Sequence, residues 1–323
     1  MNDADWRPGA AVPALRLRAR MLERAREFFG ARHVLEVETP LAVSRTVSDV
    51  QIESLRLAGD SPRYLHTSPE YAMKRLLAAG SGDIFQICKV FRAAERSALH
   101  NPEFTMIEWY RLGFSLDAMM EETAALVAAM TTGCWAGAAA PVQTLSYRDA
   151  FLRELGIDPL QVTEAELAQL CAARGLVPQS VSGADRDELL DFLIATVIGP
   201  KLGQEQLTCL HHYPASQAAL AELDAGDPRT ALRFELYAQG IELANGYVEL
   251  ADGAEQARRF ASDAAGRAAR GLRPVEPDER LLAALRSSLP RCAGVALGFD
   301  RLAMLAAGAT RIDQVMAFAW DKS

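Results

Sequence analysis

The chain has 323 residues, half of them hydrophobic and 24% charged, with a net charge of −8 from 34 Lys+Arg against 42 Asp+Glu. This is globular composition, long enough for one large domain or two smaller ones with a sizeable core. The acidic balance argues against a general nucleic-acid binder, which leaves a basic footprint, although it allows a local basic patch. The five cysteines, Cys88, Cys134, Cys171, Cys209 and Cys292, show no CxxC spacing. Neither a metal cage nor a disulfide framework is expected of them; they read as small buried hydrophobes in a reducing compartment. No signal-peptide core opens the chain and no apolar run reaches about 18 residues, so a soluble cytoplasmic protein is expected.

Along the chain, residues 14–33 carry an amphipathic helical pattern through Leu15, Leu22, Ala25, Phe28 and Phe29. Leu35, Val37 and Thr39 then alternate with Glu36 and Glu38 as a short strand closed by Pro40. A second short strand, "RYLHT", leads to Ser68 as N-cap, Pro69 at the first helical position and Glu70 in the first turn of a helix that runs to about Leu77. Residues 84–92 and 104–111 read as strands joined by a polar loop, too long for a tight hairpin turn. From Ser115 to about Ala225 the texture is helical. It includes "TEAELAQLCAARGL", with a Thr163/Glu166 capping box and a Gly175 stop, and "DRDELLDFLIATVIG", ended by Gly199–Pro200. Strands return at "LTCLHHYP" and "LRFELYAQGIELANGYVEL", and "GVALGFDRLAMLAAG" reads as strand, glycine, helix. The strands fall into two groups without a helix between each pair, which predicts an α+β fold with a mainly antiparallel sheet and not a doubly wound parallel one.

Strand parity places Phe104, Met106, Glu108 and Tyr110 on one face. An acid and a phenol side by side make an ammonium site, or else Glu108 forms a structural salt bridge. Arg92 and Arg301 are solvated strand-end cations or phosphate clamps, and Gly298 permits close approach of a flat ligand. Neither a GxxxxGK[ST] loop nor a strand-linked GxGxxG is present, so any nucleotide site is of another kind. Glu242 and Glu249 flank "LANGYV" and can share a divalent cation such as Mg²⁺. The histidines read as surface or structural groups, with His100 singled out by its neighbours.

Taken together, the segments resemble class II aminoacyl-tRNA synthetases of the lysyl type. "FRAAERSALHNPEFTMIEWYR" is similar to motif 2, "GVALGFDRLAML" to motif 3, and "ARMLERAREFFGARHVLEVETP" to motif 1, the dimer-forming helix and strand. "HTSPEYAMKRLL" and "GIELANGYVEL" are also similar to lysyl-enzyme segments, and the resemblance covers about residues 14–320. It implies a class II catalytic fold, an antiparallel sheet flanked by helices, with a mainly helical insertion at 115–205 between motifs 2 and 3. Motif 1 lies near residue 1. The expectation is therefore a single catalytic domain, 1–323, without an anticodon-binding domain, as in truncated lysyl-type paralogues that modify elongation factor P.

By that resemblance the chain activates (R)-β-lysine with ATP and Mg²⁺, and passes it to the ε-amino group of a lysine on elongation factor P. A homodimer and no membrane contact are implied. Arg92 grips the α-phosphate. Asn101 and Phe104 hold adenine, Arg301 covers its other face and reaches the γ-phosphate, and Gly298 and the Leu243 backbone adjoin the nucleotide. Glu242 and Glu249 bind Mg²⁺ or line the amino-acid pocket. Ser68, Pro69 and Glu70 contact the amino acid, whose side-chain ammonium meets Glu108 and Tyr110. Two positions depart from the lysyl pattern. Arg92-Ala93-Ala94 stands for Arg-Asn-Glu, with Glu95 one place later and in reach of adenine if the segment is a loop. Ala296 replaces a glycine, which shortens the pocket by a methyl group and favours β-lysine; such a change is worth about 1–3 kcal/mol of discrimination. An RNA-directed enzyme and a catalytically inert paralogue are the alternatives.

Overall fold

The computed structural model describes residues 6–59, 61–93, 95–176 and 184–323; Ala94, singled out above, lies outside them. The first helix, α1 (Val12–Gly30), buries Met21, Ala25, Phe28 and Phe29. It stops three residues before the predicted end, where His33 turns the chain at positive φ. Short strands β1 (Leu35–Glu36), β2 (Ala42–Val43), β3 (Arg56–Leu57) and β4 (Arg63–Leu65) follow, then α2 (Glu70–Ala78). The long strands β5 (Ile84–Phe91) and β6 (Glu103–Leu112) flank the predicted polar loop, and α3 (Leu116–Met130) comes next. The expected insertion contains α3, α4 (Tyr147–Leu155), α5 (Glu164–Ala173) and α6 (Arg186–Leu193).

One correction falls inside that insertion: Gln143–Ser146 is a strand, β7, parallel to β8 (Thr208–Pro214). Four residues carry too little periodicity to announce a strand, and only the neighbouring β8 edge defines it. The predicted 163–166 capping box forms. The helix predicted to run to Gly199 instead loosens after Leu193 into a π-helical turn, Ile194–Ile198. There Thr196 Oγ1 donates to the Phe192 carbonyl (2.6 Å). The predicted strand–strand stretch is a hairpin of β9 (Thr230–Ala238) and β10 (Ile241–Val248). Both turn residues, Gln239 and Gly240, have positive φ. Helices α7 (Gly253–Ala269) and α8 (Glu279–Ser288) lead to β11 (Cys292–Gly298) and α9 (Phe299–Ala307). Cys171, Cys209 and Cys292 are buried as expected, whereas Cys88 is half-buried and Cys134 exposed.

Eight strands form the main sheet in the order β1-β5-β6-β11-β10-β9-β8-β7; the two outer pairs are parallel and the rest antiparallel. Its register sorts the side chains. Phe85, Trp109, Val295, Gly246 and Phe234 lie in one row across five strands. With Met21, Phe29 and Leu126 this row forms the main apolar core. Gly246 is small because a Cβ there would stand 2.5 Å from Val295 Cγ2 and 2.8 Å from the Phe234 ring. One residue along, on the opposite face, runs Gln86, Glu108, Ala296, Asn245 and Glu235. An apolar row anchored against helices therefore backs a polar row of which Glu108, Ala296 and Asn245 line a cavity.

Candidate active site

The polar face floors a cavity of about 700 Å³. Of the residues selected from the sequence, all but Pro69 line it. Pro69 is buried at the mouth of α2, where its carbonyl accepts from Ala72 and Met73 (both 3.0 Å), so its task is to start the helix. The predicted cap moves by one residue: Pro69 is the N-cap of α2, which opens at Glu70, and Ser68 Oγ, one place earlier, accepts from the Glu70 N–H (3.0 Å).

Ser68 also donates to Glu108 Oε2 (2.8 Å), and the Tyr110 hydroxyl donates to Glu108 Oε1 (2.7 Å). Glu108 is 2% exposed, and among the described residues no Lys or Arg forms an ion pair with it. The structural salt bridge weighed above is absent there. Burial, reinforced by Glu70, pushes its carboxyl up to about 7, against the opposing pull of Tyr110 and Ser68. A buried carboxylate held by two neutral donors, with no cation paired to it among the described residues, can accept one from a ligand.

At the other end of the cavity, Arg92 Nη1 donates to Glu95 Oε1 (3.1 Å) and its guanidinium lies 5.3 Å from the Phe104 ring centroid. Arg92 Nε is buried and has no hydrogen-bond partner among the described residues. Arg301 Nη1 donates to the Glu242 carbonyl (2.8 Å) and carboxylate (3.3 Å), and Nη2 donates to His100 Nε2 (2.5 Å). Burial and the Arg301 charge lower the His100 pKa, which keeps the ring neutral and able to accept. Asn101 lines the cavity and also holds protein partners. Its Nδ2 donates to the Glu103 carbonyl (2.6 Å) and its Oδ1 accepts from Trp320 N–H (3.0 Å). Gly298 is not required by its protein neighbours, since a Cβ would meet the Leu243 carbonyl at an ordinary 3.7 Å.

Seven positions separate Glu242 from Glu249, which on a regular strand sends them to opposite faces. A β-bulge between Glu242 and Ala244 shifts the register. Leu243 and Ala244 both enter the core, and both glutamates reach the cavity. They meet different cations: Glu242 pairs with Arg301, and Glu249 with Lys74 at 2.5 Å. Among the described residues no three His, Cys, Asp or Glu cluster as a metal cage. As donors, Glu242 fits a magnesium ion, being 40% exposed on the cavity wall. Glu249 fits less well, because its charge is already matched.

Sequence reading missed several residues that build the site. Lys74, on α2, is 1% exposed and also pairs with Glu70 (2.6 Å). Burial alone would lower its pKa, but Glu249 and Glu70 outweigh burial and raise it. Tyr247 donates to Glu70 Oε1 (2.8 Å). Burial lifts Glu249 to about 8 even with Lys74 opposing, and its Oε1 has no hydrogen-bond partner among the described residues. Gly294 makes this crowding possible, because a Cβ there would collide with Glu249 Oε1 and the Tyr110 ring. Arg233 joins Glu235 (2.7 Å) and Asn245 (3.2 Å) on the same face. Asp300 opens α9, accepts from Thr105 N–H (2.6 Å) and pairs with Arg18, tying β6, α9 and α1 together. The i, i+4 spacing of Glu70 and Lys74 was a visible signal; the other partners are distant in sequence.

The family model for tRNA synthetases class II (D, K and N) matches residues 4–322. The chain is 47% identical to a Vibrio cholerae protein named elongation factor P–(R)-β-lysine ligase, over all of both chains. It is 46% identical to a protein of that name from Photorhabdus laumondii, over 99% of both. With one from Sodalis glossinidius it shares 44%, over 100% of this chain and 99% of the relative.

Proposed function

From the premise that this chain belongs to the class II tRNA synthetase family of the D, K and N type, we propose that it is an ATP-dependent, AMP-forming ligase. In this reading it activates (R)-β-lysine as an aminoacyl-adenylate and transfers it to the ε-amino group of a lysine on elongation factor P. The observation that carries the proposal is the presence, in one cavity, of a buried carboxylate, Glu108, with no paired cation among the described residues, and of two arginines, Arg92 and Arg301. The names of the full-length relatives support the same reading.

In the first step a carboxylate oxygen of the amino acid attacks the α-phosphorus of ATP, forming a P–O bond as the bond to pyrophosphate breaks. No protein nucleophile is needed, so orientation and charge stabilisation carry the rate. Glu108, Tyr110, Ser68 and Glu249 hold the ammonium end. Arg92, whose Nε lacks a partner among the described residues, faces the α-phosphate, and Arg301 swings from Glu242 and His100 toward the γ-phosphate. Phe104 and Arg301 enclose adenine, with Glu95 at its edge. Glu242 would hold Mg²⁺ with phosphate oxygens and water, and the ion when bound neutralises phosphate charge. In the second step the target amine attacks the mixed anhydride carbonyl, forming the amide and releasing AMP. Ala296, in register with Glu108, sets the pocket depth that favours the β-amino acid.

Among the described residues no helix is long and apolar enough to cross a membrane. The α1–β1 segment, with Val12 and Leu35 exposed, is the surface we assign to a homodimer; sedimentation velocity at micromolar concentration reads it directly. Pyrophosphate exchange tests the activity. Exchange with (R)-β-lysine should exceed that with α-lysine, and elongation factor P should gain the mass of one lysyl unit. Equal or greater exchange with α-lysine, or lysine esterified to tRNA, would overturn the assignment.

A further inference from the structure

Lys74 has no place in the roles assigned so far. It does not line the cavity, and its side chain is 1% exposed. Its ammonium lies 2.6 Å from Glu70 and 2.5 Å from Glu249, and 5.6 Å from the Tyr247 ring centroid. Tyr247 in turn donates to the same Glu70 oxygen (2.8 Å). Three carboxylates, Glu70, Glu108 and Glu249, thus face one end of the cavity, and this lysine is the cation that pairs with two of them. A buried lysine so placed is costly to desolvate and gains nothing by solubility; its value is in the charge it fixes.

We propose that Lys74 is a positioning residue that sets the charge count of the amino-acid subsite. It holds Glu70 and Glu249 in place and, once the substrate's ammonium groups bind and Glu108 and Glu249 give up their protons, leaves a formal charge of −2 for a substrate bearing two ammonium groups. The inference rests on the proposed activation of a diamino acid and adds to it the residue that makes the subsite select for two amines. An amino acid with a single ammonium leaves one buried carboxylate unneutralised, which is the penalty that discriminates against it. Without Lys74, three carboxylates converge and the substrate's two ammonium groups are one too few. Glu70 and Glu249 also lose the cation that orients them.

The count makes a prediction that a merely structural lysine does not. Lys74→Met should raise the KM for (R)-β-lysine at least tenfold in pyrophosphate exchange, with the KM for ATP changed less than threefold. Lys74→Arg, which keeps the charge, should recover most of the loss. Adding Glu70→Gln to Lys74→Met restores the count to −2, so the double variant should bind the amino acid better than Lys74→Met alone. Losses that simply multiply, or an amino-acid KM within threefold of wild type in Lys74→Met, would overturn the proposal. Thermal melts accompany each variant. Should Lys74→Met not fold, Glu70→Gln alone decides. Its preference for (R)-β-lysine over the same acid lacking the terminal amine should fall at least tenfold, and an unchanged preference defeats the count. Wild-type enzyme that binds ATP but shows no exchange with (R)-β-lysine would instead overturn the parent function.

Discussion

At the scale of the residue, Glu108 concentrates the tension between stability and function. Its carboxyl sits at about 7 in the fold against an ordinary 4.5. A carboxylate whose folded pKa is raised favours the native state below about pH 4.5, and that contribution is lost as pH rises through about 7. Glu108→Gln removes the charge and keeps an oxygen for Ser68 or Tyr110. The variant should therefore melt higher than wild type at pH 8, by an amount that corresponds to at most about 3 kcal/mol, and show no such gain at pH 4. Calorimetry at the two pH values checks this. The same change should lower kcat/KM for the amino acid by at least a hundredfold while the KM for ATP moves little. In the wild-type enzyme kcat/KM for the amino acid should fall as pH drops below about 7, because protonation of Glu108 removes the ammonium's partner. A flat profile from pH 5.5 to 8 would count against that role.

At the scale of the element, β10 and β11 shape the site by what they omit. On β11, Gly294 lies in register with Tyr110 and Tyr247, and the missing Cβ lets Glu249 pack beside the Tyr110 ring. Gly294→Ala should displace one of the two and raise the amino-acid KM more than tenfold, with ATP binding nearly intact; paired KM measurements separate the two ends. On β10 the bulge turns Glu242 onto the cavity wall that strict alternation would deny it. The β9–β10 turn places Gln239 at φ 49° and Gly240 at φ 75°. Such paired positive values favour Asn-Gly, and Gln at the first position is under strain. Gln239→Asn should stabilise the protein by a few tenths to about 1 kcal/mol, visible as a higher denaturation midpoint with unchanged slope.

At the scale of the whole molecule, the segments near residues 9 and 317 meet beside the Asn101 end of the cavity. Gly9 and Ala10 donate to the carbonyls of Ala317 (2.8 Å) and Met316 (3.1 Å), and Trp320 N–H donates to Asn101 (3.0 Å). Ile312 N–H donates to the Ala98 carbonyl (2.8 Å), so the C-terminal segment holds both sides of the motif 2 loop. Asn101→Ala cuts one of these ties. It should raise the KM for ATP three- to tenfold without changing that for the amino acid, and make residues near 320 more open to limited proteolysis. Unaltered ATP kinetics and proteolysis would show the tie to be idle.

The alternation of β6, the capping box at Thr163 and the α+β class were legible in the sequence, because each rests on periods and short spacings written along the chain. The sequence paired Glu108 with Tyr110 by parity alone, and left the partner of Glu108 open between an internal cation and a ligand. The folded chain showed that no described lysine or arginine pairs with Glu108, that Lys74 pairs with both Glu70 and Glu249 behind the cavity wall, and that Asn101 is also tied to the C-terminal segment. It also supplied β7 and the bulge at Glu242. The physical reason is the same in each case. Charge pairing, register shifts and glycine clearance depend on groups brought together across five strands and two helices, and no local pattern encodes such distances.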